Sequence, residues 1–241
     1  MNVTGLAAIT RGRTLRPPRI LLYGMEGIGK STFAANMPDP IFIQTEDGLD
    51  NIDCARFPLA ESFDVACRQL ETILNEPNDF KTVVVDSVDW LERHIFAAVC
   101  DAEGVENIEK IGYGRGYVMA LDYWRRLFRL TDQLRAGGRI TLFLAHAVQE
   151  NYSDPEVANL TRFTPRLDKR ARSLMSEYVD LILLATRELG AARADSPRVV
   201  KTEAAPQQVA KSRYAIPPVL PLDANAVLNA ITASMKQEEK Q

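Results

Sequence analysis

The chain has 241 residues, 46% hydrophobic and 25% charged, which suits one large soluble domain with a substantial core. A net charge of −3 and a sequence pI near 5.6 exclude a strongly basic surface overall, while leaving room for local basic patches. Cys54, Cys67 and Cys100 lack C-x-x-C spacing, two histidines exclude a multi-His metal site, and neither a membrane-spanning run nor a secretory signal is visible, so a cytoplasmic protein with no membrane partner is expected.

After an N-terminal segment, residues 1–18, Arg19 to Tyr23 reads as a short buried strand. Gly24, Met25, Glu26, Gly27, Ile28, Gly29, Lys30 and Ser31 follow, and Ser31 to Asn36, including Thr32, reads as a helix start. Strand, glycine-rich loop and helix is the setting of G-x-x-x-x-G-K-[ST], the phosphate-binding P-loop. Its glycines let successive N–H groups point at phosphate oxygens, its lysine meets the β- and γ-phosphates, and its hydroxyl reaches Mg²⁺. The plain alternative is a glycine-rich turn before an ordinary helix.

Pro38 to Pro40 breaks the chain, and Ile41 to Gln44 is a second strand. Glu46 lies just past its carboxyl end, where ligands of open α/β sheets bind. It is a candidate to activate water, or else a solvated loop carboxylate. Ser62 to Asn75 has a helical pattern, and Thr82 to Asp86 is a β-branched strand of the kind buried in parallel sheets. Asp86 is placed to hold Mg²⁺ as a Walker B aspartate, or alternatively to cap the next helix.

Residues 88–102 read as helix, 103–116 as a glycine-rich loop, and 117–135 as a long helix ending at Gly137 and Gly138. Arg125, Arg126, Arg129 and Arg135 read as its solvated face. Ile140 to Ala145 is a fourth strand followed by His146, a γ-phosphate sensor if this strand lies between the two Walker strands, otherwise a polar strand cap. Residues 147–172 read as a long polar loop, 179–185 as a fifth strand, and 198–203 with 209–214 as a hairpin. Asp223 caps a last short helix before a polar tail. The alternation predicts an α/β fold with a mostly parallel sheet flanked by helices, divided as residues 1–18, a core over 19–216, and a C-terminal helix and tail over 217–241.

Together these residues resemble the RecA family of recombination ATPases, in particular its phage-type, core-only members. The segment from Ile41 to Asp50 with Glu46 is similar to the RecA stretch that carries a catalytic glutamate, and Val83 to Val88 to its Walker B strand. The resemblance implies a RecA-like core with strand order 5-1-4-3-2, ATP and Mg²⁺ as ligands, Ser31 and Asp86 on the metal, and Lys30, Glu46 and His146 as catalytic residues. Lys211 to Ala215 resembles the K-N-R-F-G motif, which implies that Lys211 and Arg213 reach a neighbour's ATP in a homo-oligomeric ring or filament. It also implies single-stranded DNA as a partner in recombination or annealing, with a single-strand-binding protein as a possible second partner.

From the residues themselves, Lys110, Tyr113 and Arg115 place cations and an aromatic on one loop. Arg162, Phe163 and Arg166 begin a basic stretch of the second; cations with stacking platforms suit single strands. A solvated basic helix face is the alternative for the second group. The competing function is a nucleotide-switched adaptor or loader for a replication or recombination protein. A small-molecule kinase fits less well, because no acceptor-binding lid is evident.

Overall fold

A computed structural model describes residues 5, 6, 9, 12, 14–152, 160–188 and 196–237. Along the chain lie β1 (Arg19–Gly24), α1 (Lys30–Ala35), β2 (Pro40–Gln44), β3 (Ala55–Arg56), α2 (Phe63–Asn75), β4 (Thr82–Asp86) and α3 (Val88–Glu103). A 3-10 turn (Ile108–Ile111) precedes α4 (Arg115–Ala136), β5 (Ile140–Tyr152), β6 (Leu160–Pro165), α5 (Lys169–Tyr178) and β7 (Leu181–Arg187). The chain continues with β8 (Arg198–Lys201), β9 (Lys211–Ser212), β10 (Val219–Pro221) and α6 (Ala224–Gln237).

The main sheet runs β10-β8-β7-β1-β5-β4-β2-β3. Its central strands β7, β1, β5, β4 and β2 are parallel, in the order expected for the five principal strands. Period-two alternation divides their side chains between two cores. Leu21, Tyr23, Ile43, Val83, Val85, Phe143 and Ile182 face a layer built from α2, α3, α4 and α5. Ile20, Leu22, Phe42, Val84, Leu142, Leu144 and Leu183 face α1 and α6. Burial on both faces explains why these strands read as continuous apolar runs.

Local chemistry sets the helix starts. Ser62 Oγ accepts the Val65 N–H at 3.3 Å at the start of α2, and Asp223 Oδ1 accepts the Ala226 N–H at 2.7 Å at the start of α6. In α4, Leu127, Phe128, Leu130 and Leu134 are buried. Arg135 departs from the expected solvated face: it donates to Pro17 O at 2.7 Å and to Asp180 at 3.0 Å.

Two expectations are corrected. Residues 147–172 are not one long loop. The end of β5 and β6 form an antiparallel ladder from Ala147↔Pro165 to Tyr152↔Leu160, and Lys169 begins α5. The residues between these strands, 153–159, lie outside the described residues. Residues 198–203 and 209–214 do not pair with each other either. Both β8 and β9 run antiparallel to β7, at its opposite ends, and β10 adds outside β8. Pairing on β7 joins both segments to a multi-stranded sheet, whereas an isolated two-stranded hairpin is marginally stable. No helix among the described residues is long and apolar enough to cross a membrane.

Candidate nucleotide site

β1 carries the chain into the P-loop at the carboxyl edge of the sheet. Gly24 is flanked by His146 in β5 and Ala185 in β7. A Cβ at Gly24 would stand 2.6 Å from Ala185 O, so only glycine fits between these strands. Gly29 caps α1 with φ 107°, a left-handed turn that L side chains rarely adopt. This turn aims the next two residues into a cavity of about 400 Å³.

Lys30 is buried, and its Nζ donates to Gly24 O and Met25 O at 3.1 and 3.2 Å. Burial lowers its pKa, opposed by the charges of Asp86, Asp89, Glu46 and Glu26. Ser31 Oγ donates to Asp86 Oδ2 at 2.7 Å. Burial raises the Asp86 pKa; the Ser31 hydrogen bond opposes this, Glu46 adds to it, and Lys30 opposes it. A hydroxyl beside a buried carboxylate is the hard-oxygen pair that suits Mg²⁺ shared with phosphates. Among the described residues no group of three or more His, Cys, Asp or Glu side chains is placed to hold a metal ion.

The neighbouring strand fixes Glu46. Thr45 N donates to Asp86 O at 2.8 Å and Thr45 Oγ1 to Ser87 O at 2.6 Å, locking the ends of β2 and β4 together. Ser87 Oγ then donates to Glu46 Oε2 at 3.1 Å. The Asp86–Ser87 peptide bond is cis. His146 enters from β5, between the strands that carry the P-loop and Asp86. Its backbone N–H donates to Asp89 Oδ1 and its Nδ1 meets Asp89 Oδ2, both at 3.0 Å, with Glu46 Oε2 3.8 Å from the same nitrogen. Burial pushes the Asp89 pKa up, but the His146 ring and backbone hydrogen bonds outweigh it, and the net shift is downward. Asp89 is therefore a carboxylate, which assigns the proton to Nδ1 and leaves Nε2 as the ring nitrogen that Asp89 does not engage.

Gly27, Lys30, Ser31, Thr32, Glu46, Asp86 and His146 thus converge on one cavity, together with Arg198. Sequence reasoning missed Arg198. Its Nη1 lies 3.1 Å from where a Gly29 Cβ would stand, and β8 brings it there across the sheet. Nothing local to residue 198 signals this placement, which depends on β8 pairing with β7.

The other candidate residues divide. Tyr113 is fully exposed with φ 49°, between Gly112 and Gly114, which are also left-handed. Arg115 follows, exposed, as the first residue of α4. A side chain at Gly114 would meet Arg170 Nη2 at 3.2 Å, so that guanidinium lies beside the same turn. Lys110 is paired with Glu106. Phe163 is partly buried against the larger core, and its backbone bonds Gln207 O and Val209 N–H. Arg162 faces Glu150 across the β5–β6 ladder. Arg166 lies beside the P-loop, 3.6 Å from Glu26 and 3.7 Å from Asp89.

Lys211 and Arg213 serve the opposite edge of the sheet. Lys211 Nζ donates to Ser176 O and Val179 O at the end of α5, and Arg213 Nη1 meets Asp180 Oδ1 at 3.0 Å. They line a larger cavity, about 610 Å³, with Lys169 and Arg172. That cavity has no glycine-rich loop, and Arg172 is already bonded to Glu150 and Thr164, so the smaller P-loop cavity is the better nucleotide site.

Fold and site define a P-loop nucleotide-binding protein. Residues 16–214 match the AAA domain family, AAA_24, and the chain belongs to that family, an AAA-type P-loop ATPase domain. It is also similar to the SPbeta prophage-derived uncharacterized protein YorG of Bacillus subtilis (strain 168), 25% identical over 168 residues, covering 68% of this chain and 49% of that protein. The chain thus spans about half the length of this curated relative.

Proposed function

We propose that this chain is an Mg²⁺-dependent ATPase with a RecA-like core over residues 19–216, acting on single-stranded DNA in phage recombination or strand annealing. The carrying observation is the convergence of Lys30, Ser31, Asp86, Glu46 and His146 on one cavity at the carboxyl edge of the sheet. Lys30 and the P-loop amides hold the phosphates, and Ser31 and Asp86 hold Mg²⁺. When bound, the metal neutralises phosphate charge. Glu46, held by Ser87, orients and deprotonates the attacking water. His146, fixed by Asp89, meets the γ-phosphate.

The DNA half of the reading rests on Tyr113, presented between two left-handed glycines with Arg115 and Arg170 beside it. An exposed aromatic flanked by cations suits base stacking with backbone charge. The prophage origin of the Bacillus subtilis relative supports a phage setting. In this reading the protein works as a homo-oligomer, with a single-strand-binding protein as a further partner.

The second reading is a nucleotide-switched adaptor or loader. It is favoured by the partial burial of Phe163 against the core and by the Lys110–Glu106 pair, which shrink the DNA-facing set. A salt titration of binding to labelled single-stranded DNA separates the two. Phosphate contacts predict affinity that falls steeply with salt. DNA binding that is absent at low salt rules out the first reading.

A further inference from the structure

Arg166 follows the last residue of β6, and its backbone N–H donates to His146 O at 2.9 Å. It is therefore tied to the point where β5 passes the P-loop. Its guanidinium lies between carboxylates of two other elements. Nη2 is 3.6 Å from Glu26 Oε1 in the P-loop, and Nε is 3.7 Å from Asp89 Oδ2 at the start of α3. Both separations exceed hydrogen-bond reach. Glu26 is mostly exposed, so that contact is solvent-screened and weak. Asp89 already receives two hydrogen bonds from His146 and does not depend on Arg166. A weakly held cation on the His146 side of the P-loop is free to take a stronger anion, and guanidinium suits phosphate geometry.

We propose that Arg166 binds the terminal phosphate of the nucleotide in cis, leaving Glu26 to do so, and that its backbone bond to His146 links that phosphate to the β5–β6 ladder. This deepens the ATPase reading and rests on it. Arg166 then distinguishes tri- from diphosphate, whereas Lys30 serves both.

Calorimetric titration with Mg²⁺ and either AMP-PNP or ADP tests this on the full chain. Arg166→Ala should weaken AMP-PNP about tenfold, the loss of one charge-assisted contact, with ADP within about twofold of wild type. Arg166→Lys should recover part of the loss, and Glu26→Gln, which removes the competing carboxylate, should shift the AMP-PNP to ADP ratio the other way. Lys30→Ala should lose both ligands. Because both affinities come from the same variant, their ratio is insensitive to the folded fraction. A ratio unchanged in Arg166→Ala, with wild type binding both nucleotides, overturns the Arg166 proposal and leaves the ATPase reading standing. Wild type that binds neither nucleotide removes both.

Discussion

At the amino edge of the sheet one carboxylate, Asp180, meets three arginines; at the carboxyl edge Asp86, Asp89 and Glu46 surround Lys30 and His146. Arg19 reaches Asp180 through its backbone N–H, Nε and Nη2 at 2.9, 3.4 and 3.2 Å, and Arg135 and Arg213 each add a contact at 3.0 Å. Burial raises the Asp180 pKa, but hydrogen bonds and charge from Arg19, then Arg135, carry it below the ordinary carboxylate value. Its acceptors are filled by the chain itself. At the other edge Asp86 has Ser31 as its bonded partner, and its pKa is raised. The first cluster is complete without a ligand and joins β1, α4, β7 and the segment after β9. The second leaves Asp86, bonded to Ser31, beside an open cavity, an arrangement that would suit a divalent cation.

Asp180→Ala leaves three arginines without their buried carboxylate and should cost about 3–5 kcal/mol, lowering the melting temperature by ~10 °C or more. Nucleotide affinity measured well below the transition should be unchanged. The sign of the pH effect follows from a folded-state pKa below the unfolded one. Asp180 stabilises above the unfolded value and loses that contribution as pH falls through the folded value, so the variant should show less acid-induced destabilisation below about pH 4.

Glu46→Gln should lower turnover by about 10²–10³-fold while retaining ATP binding and the wild-type melting temperature. Full hydrolysis by this variant would remove Glu46 from its role and point to Asp89 or Asp47. Tyr113→Ala should weaken single-stranded DNA by about 1–3 kcal/mol in a fluorescence anisotropy titration, with DNA-free turnover unaltered.

Glu92 tests the contrast from a third position. Burial pushes its pKa up to about 7; the Asp168 N–H, at 2.9 Å from Oε2, opposes the shift, and the charges of Asp168 and Asp89 add to it. Its other oxygen has no hydrogen-bond partner among the described residues. A raised folded-state pKa means stability is greatest below the unfolded value and declines as pH rises through about 7. Glu92→Gln should therefore be more stable than wild type at pH 8, by on the order of 1–2 kcal/mol, with the gap closing below about pH 5 in paired thermal melts.

The central sheet was legible in the sequence because strands buried on both faces leave apolar runs such as Val83 to Val85, and the P-loop because its backbone demands glycine at Gly24 and Gly29. The order of the five principal strands came from the family resemblance rather than from any local pattern. The β5–β6 ladder was not legible: Gln149, Glu150, Thr161 and Arg162 make a polar ladder that reads as loop until the strands are paired. The KSRYA segment was visible as a motif, yet its cations' partners within the chain, the end of α5 and Asp180, are set by tertiary packing. Arg166 and Arg198 show the same limit. Each reaches the P-loop because its strand pairs with the one before it, β6 with β5 and β8 with β7, and because β5 and β7 in turn flank β1 from far along the chain.

The most direct test is hydrolysis of Mg²⁺-ATP by wild type and Lys30→Ala, with and without single-stranded DNA, at low and moderate salt. The account predicts wild-type turnover that DNA stimulates, stimulation that fades as salt rises, and no turnover in Lys30→Ala. Tight ATP binding with a rate indifferent to DNA at every salt concentration would contradict the DNA-directed role and favour the nucleotide-switched adaptor.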